Sequence, residues 1–300
     1  MCMISFYTFY IFTWLIAQLP IKGMFVISNI ARFLTYYVVR YRRKTVAFNL
    51  KNSFPEKTEK ELKRIEKAFY KHFCDMFLEV SYLFHANEKK LSKMCTFTNL
   101  NILNKYYSEG KSVVIALGHY SNWEFLSFIS SQMNHTLLGI YRPVTNKRFE
   151  FFINKSRARF GAVPVPKQDA FRTALEYNKN GELFFLCLIA DQSPAHVEIN
   201  YWTKFLNQDT PVFLGVEKIA IKTNQPVLFC KMQKVARGKY EVEFILLCDN
   251  PKETKPFEIT ELHVRTLEKI IQDKPEYWLW SHRRWKYQRV DNKIVKQKIS

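Results

Sequence analysis

Glycine is scarce in this chain of 300 residues, with 8 in all. That argues against a collagen-like chain and against a glycine-rich nucleotide loop. The six cysteines, Cys2, Cys74, Cys95, Cys187, Cys230 and Cys248, form no CxxC pair and no Cys/His cluster. They read as reduced, mostly buried thiols of a cytosol-facing protein, not as a disulfide framework or a zinc site. No GxSxG nucleophile motif, internal repeat or low-complexity linker occurs. Charge is missing from one place in particular: residues 1–21 carry none of either sign, and no acidic residue precedes Glu56.

What is present is basic and aromatic. The 46 Lys+Arg against 27 Asp+Glu give a formal net charge of +19, and 47 % hydrophobic with 16 % aromatic residues supply a large core. Such a surface suits nucleic acid, an anionic membrane leaflet, or an acidic or phosphorylated partner. The uncharged start, MCMISFYTFYIFTWLIAQLPI, is followed by Lys22, Arg32, Arg40, Arg42, Arg43, Lys44 and Lys51. A spanning helix needs roughly 20 apolar residues, so an N-terminal membrane anchor over 1–22 is expected, spanning or lying in one leaflet. The basic flank places the rest of the chain in the cytoplasm. A signal peptide fits poorly, because a basic n-region and a small-x-small cleavage site are missing; the alternative is a buried core helix. A nucleic-acid binder would need a recognition motif, and no zinc-finger, RNP or P-loop pattern is present.

After the anchor, residues 23–95 read as a helical membrane-proximal cap. Thr58 and Glu61 form a capping-box pair, and Leu62, Ile65, Phe69, Phe73, Met76, Phe77, Val80 and Leu83 recur at helical spacing. Over 96–300 short apolar runs alternate with helices, which predicts an α/β catalytic domain on a mainly parallel central sheet flanked by helices. Strands are expected at 112–117, 136–141, 163–165, 183–189, 226–232 and 240–247. Helices are expected at 101–109, from about 121, at 146–160, 169–178, 260–272 and 211–223, the last capped by Thr210 with Pro211 at its start.

Candidate chemistry gathers at Gly118-His119-Tyr120-Ser121-Asn122-Trp123-Glu124, on the carboxyl end of a buried strand, where ligands bind in open α/β sheets. His119 stands in the turn, and Glu124 five residues later can reach back to one imidazole nitrogen, leaving the other to accept a proton. Ser121 and Glu124 also fit a capping box, which would leave Glu124 holding the helix start. Cys187 lies inside an apolar strand, where a thiol is inert. Trp278, Trp280 and Trp285 suit an interfacial belt or the core equally. The basic tail, seven Lys/Arg from Arg283 to Lys298, is either solvated or a docking element.

GHYSNWEF resembles the His-x4-Asp/Glu signature of the lysophospholipid acyltransferase superfamily. More narrowly, the chain resembles the lipid A late (lauroyl/myristoyl) acyltransferases. The resemblance is carried by YRRK, NL and FPE (Tyr41 to Glu56), Tyr141-Arg142-Pro143, Arg157-x-Arg159-Phe160-Gly161, Asp191 in ADQSP, and PEYWLWSHRRWK (Pro275 to Lys286). It implies an O-acyltransferase at the cytoplasmic face of the inner membrane. The donor would be the thioester of acyl carrier protein or coenzyme A, and the acceptor a phosphorylated glycolipid. No cofactor, metal, covalent intermediate or nucleic acid would take part. His119 would be the general base and Glu124 its partner. Asp191, Arg142 and either Arg157 or Arg159 would serve substrate, with Arg283 and Arg284 as further candidates. The Tyr-Ser-Asn-Trp filling between His119 and Glu124 departs from the better-known lipid A enzymes. A lysophospholipid, aminolipid or pigment acceptor is the alternative.

Overall fold

The computed structural model describes residues 3–291 and 293–297; Cys2 and Lys298 lie outside them. Five helices come first: α1 (Met3–Gln18), α2 (Ile21–Phe33), continued by a π-helical turn (Leu34–Val38), α3 (Arg43–Ser53), α4 (Glu59–His85) and α5 (Glu88–Leu91). Among the described residues no helix is long and apolar enough to cross a membrane. The uncharged run is interrupted: α1 is 16 residues long and stops before Pro20, which lacks the N–H a continuing helix would use. One side of α1 packs on the protein, with Thr13 Oγ bonded to His85 at 3.0 Å and Phe6 and Phe9 against Phe149 and Phe152. The other side, Ile4, Tyr7, Ile11, Trp14 and Leu15, is exposed. The α4 start is as expected: Thr58 and Glu61 make the reciprocal capping box.

The remainder is β1 (Cys95–Phe97), α6 (Asn101–Ser108), β2 (Val113–Leu117), a 3₁₀ segment (Trp123–Ser131), β3 (Thr136–Tyr141), α7 (Lys147–Ala158), β4 (Val163–Pro166), α8 (Ala170–Lys179), β5 (Phe184–Ile189), β6 (Trp202–Phe205), β7 (Gln208–Pro211), α9 (Gly215–Thr223), β8 (Val227–Ala236), β9 (Lys239–Cys248), α10 (Glu258–Asp273), β10 (Tyr287–Val290) and β11 (Lys293–Lys296). The seven-stranded sheet runs β1-β9-β8-β2-β5-β3-β4, parallel throughout except for the β8–β9 hairpin. This is the α/β architecture expected. β2 is buried at every position, as a central parallel strand covered on both faces must be.

Two local expectations are corrected, and one open alternative is settled. Residues 208–211 form a strand, not the start of a helix: Pro211 closes the β6–β7 hairpin, and Thr210 Oγ accepts from Trp285 Nε1 at 2.7 Å in place of capping. The helix begins at Gly215 instead. The helix expected from Ser121 is a 3₁₀ segment starting at Trp123, because Ser121 takes a left-handed φ of 60°. The three tryptophans belong to the core, each at 2 % exposure or less. The five described cysteines are free.

The helical and sheet portions share their core. Asp75 of α4 accepts from Ser28 of α2 and from Lys234 and Arg237 at the β8–β9 turn, all within 3.2 Å. One turn on, Glu79 accepts from Tyr240 of β9 and, at 2.9 Å, from Asn122 of the turn after β2. The helical portion is thereby tied directly to the loop that carries His119.

Candidate active site

β2 and β5 are parallel neighbours with Leu117 opposite Ile189. His119 and Asp191 each lie two residues beyond those ends. Adjacent strands are about 4.8 Å apart, so equal overshoot sets the two side chains side by side at the carboxyl edge. His119 Nδ1 meets Asp191 Oδ1 at 2.6 Å, and the His119 backbone N–H donates to Asp191 Oδ2 at 2.9 Å. Gly118 permits this approach: a Cβ there would come within 2.8 Å of Leu267 and 3.3 Å of Asp191 Oδ2.

The C-terminal segment closes the arrangement from below. Leu279 N–H donates to the His119 carbonyl at 3.1 Å, Ser121 N–H donates to the Tyr277 carbonyl at 2.9 Å, and Trp278 Nε1 donates to Asp191 Oδ2 at 2.7 Å. Burial would raise the Asp191 carboxyl. The His119 ring, Trp278 Nε1 and the His119 backbone N–H outweigh it and hold Asp191 down at about 2. An ionised carboxylate on Nδ1 fixes the proton there, so Nε2 carries the lone pair. That nitrogen meets the Gln192 side-chain nitrogen at 3.1 Å, a position a hydroxyl could take.

Glu124 sits elsewhere than expected. His119 and Glu124 lie on either side of Trp123, whose ring packs edge-on to the imidazole at 4.8 Å between centroids. The Glu124 carboxylate is gripped by Arg157 of α7, with Nη2 at 2.9 Å from both oxygens and Nε at 3.3 Å from one. The left-handed turn at Ser121 and the 3₁₀ geometry after it direct Glu124 towards α7, away from the ring. No capping box forms either, since the Ser121 hydroxyl has no partner among the described residues.

A cavity of about 650 Å³ opens over this edge, and His119, Glu124, Arg142, Arg157, Lys167 and Lys286 are among its walls. A smaller, mainly apolar slot of about 70 Å³ shares Trp123, Glu124 and Arg157 with it and is lined also by Leu137, Ala162 and Cys187. Of the two arginines left open by the sequence, Arg157 lines the cavity. Arg159 is turned away and donates to the Leu83 and Ala86 carbonyls at 2.8 and 2.6 Å, ending α4. Burial pushes the Cys187 thiol up, so it is no nucleophile.

Sequence reasoning placed Asp191 with the substrate and overlooked Gln192. The signal for the His119–Asp191 pairing was available: two apolar runs of similar length, each followed after one residue by a titratable side chain.

Comparison with known proteins identifies the family. The family model described as bacterial lipid A biosynthesis acyltransferase matches residues 2–287. A lipid A biosynthesis acyltransferase of Haemophilus influenzae is 20 % identical over 237 residues, covering 77 % of this chain and 72 % of that protein. A lipid A biosynthesis lauroyltransferase of Escherichia coli is 22 % identical over 283 residues, covering 91 % of this chain and 88 % of that protein. A match over nearly the full length, on a sheet that brings an imidazole and a carboxylate together at its carboxyl edge, makes the chain an acyltransferase belonging to the bacterial lipid A biosynthesis acyltransferase family.

Proposed function

We propose that the protein moves a fatty acyl group from a thioester onto a hydroxyl of a lipid A precursor, with His119 as general base. The observation that carries this is His119 itself, which lines the cavity while Asp191 holds its Nδ1 at 2.6 Å. His119 takes the hydroxyl proton as the oxygen attacks the thioester carbonyl. The C–S bond then breaks, the ester forms, and the thiolate leaves with the proton returned from the imidazolium. Arg157, held by Glu124, is placed to stabilise the carbonyl oxygen as it gains charge. The apolar slot beside this pair suits an alkyl chain, and Arg142, Lys167 and Lys286 suit an acceptor phosphate or an acidic carrier.

A membrane surface is the setting this reading requires. What supports it is the uncovered side of α1, together with Val26, Ile30, Phe33, Leu34, Tyr37 and Val38 at helical spacing on the next segment, all exposed and followed by Arg40, Arg42 and Arg43. Apolar side chains bordered by cations fit one leaflet of an anionic bilayer. Ile11→Glu combined with Leu15→Glu should shift the protein from floated anionic vesicles to the soluble fraction. Unchanged flotation would remove α1 from membrane contact.

Purified protein supplied with acyl carrier protein thioester and a lipid A precursor should yield the precursor plus one acyl chain by mass spectrometry. Turnover on a lysophospholipid or aminolipid, with none on the glycolipid, would overturn the acceptor assignment and leave the acyl transfer standing.

A further inference from the structure

Asp191 is absent from the wall of the large cavity. It lines instead a separate chamber of about 10 Å³, shared with His263 of α10 and Arg284 and otherwise apolar, with Phe205, Phe229 and Leu267 among its walls. A space of that size admits one water. Arg284 is 1 % exposed, a costly place for a guanidinium without a countercharge. Its Nη2 donates to the Pro211 carbonyl at 2.7 Å. Its Nε and Nη1, and the Nε2 of His263, have no partner among the described residues. The chamber therefore joins a buried cation with unused donors, a ring nitrogen, and the carboxylate that orients His119.

We propose that Arg284 is a positioning residue for the reaction: across a water held in this chamber with His263, its fixed charge balances Asp191 from behind, so that the His119–Asp191 pair binds no extra proton and His119 keeps a bare Nε2. This rests on the reading of His119 as the base.

Other groups around the pair do not supply that charge. His263 from α10 and His282 from the C-terminal segment are both pushed down to about 4, chiefly by burial, and are neutral at neutral pH. Trp278 and Gln192 are uncharged. On the cavity side Glu124 is paired with Arg157 and Glu198 with Lys167, while Arg142 and Lys286 stand across the open cavity. Burial lowers Arg284 to about 10, and it remains charged.

Removing that charge leaves Asp191 uncompensated, and the pair holds a proton more tightly. Arg284→Met should therefore move the acid limb of the kcat/KM profile to higher pH by about one unit or more, within the range a neighbouring opposite charge produces. At pH values on the acid limb the rate falls about tenfold per unit of that shift, and it recovers on the alkaline plateau. KM values for donor and acceptor should be unchanged, because Arg284 does not line the large cavity. Arg284→Lys should keep the wild-type midpoint. Arg284→Gln, which keeps a neutral amide donor in the chamber, gives the same reading as Arg284→Met if the apolar replacement does not fold. A loss by a constant factor at every pH, or a midpoint unmoved in both charge-removing variants, overturns the role of Arg284. Near-normal turnover by His119→Ala overturns the base itself, a separable result.

Discussion

His119→Gln is expected to lose acyl transfer by about 10²–10⁴-fold, the usual contribution of a positioned general base, while the protein folds as the wild type does. Glutamine can donate to Asp191 from its amide but offers no basic nitrogen to the hydroxyl, so this variant separates chemistry from packing more cleanly than alanine. His119→Ala should match it in rate and be less stable, because it leaves the buried Asp191 carboxylate without its largest partner. Asp191→Asn should fall within the same range, since an amide on Nδ1 can leave the wrong tautomer facing the cavity. Single-turnover rates with acyl carrier protein thioester decide the matter. A His119→Gln enzyme turning over within a few-fold of wild type would sink the proposed mechanism.

Much of this site could be read before any coordinates. The runs VVIAL and FFLCLI have no polar position to turn towards water, as central parallel strands covered on both faces require; they became β2 and β5. The capping pair Thr58/Glu61 is local chemistry and came out as expected. The expectations that were corrected depend on distant contacts. Thr210 is a good helix cap by type, yet Trp285 takes its hydroxyl and Pro211 becomes a strand end. Trp278, Trp280 and Trp285 suit belt or core by type, and only distant partners decide for the core: Trp278 bonds Asp191, Trp285 bonds Thr210 and Trp280 packs on Phe54. Sequence proximity and the His-x4-Asp/Glu resemblance both pair Glu124 with His119. Proximity lost to a backbone turn at Ser121 that no residue type announces, and to an arginine thirty-three positions away.

That arginine yields the second large effect. If Glu124 acts by holding Arg157, then Glu124→Ala and Arg157→Ala remove one functional unit and each should lower kcat by about 10²–10³-fold, as loss of an oxyanion donor does. The double variant should be no slower than the worse single one, because groups acting as a unit are not additive. Glu124→Gln should retain part of the rate, since an amide oxygen can still accept from Arg157 with half the geometry and none of the charge. The double variant, which removes two opposite charges together, should leave the acid limb of the pH profile in place, because the carboxylate bonded to the imidazole is Asp191. Were Glu124 instead the partner of His119, the double variant would displace that limb and the losses from Glu124→Ala and Arg157→Ala would multiply. The double-mutant cycle and the pH profile thus give opposite results under the two assignments. The 2.9 Å contacts between Arg157 and both Glu124 oxygens favour the non-additive outcome.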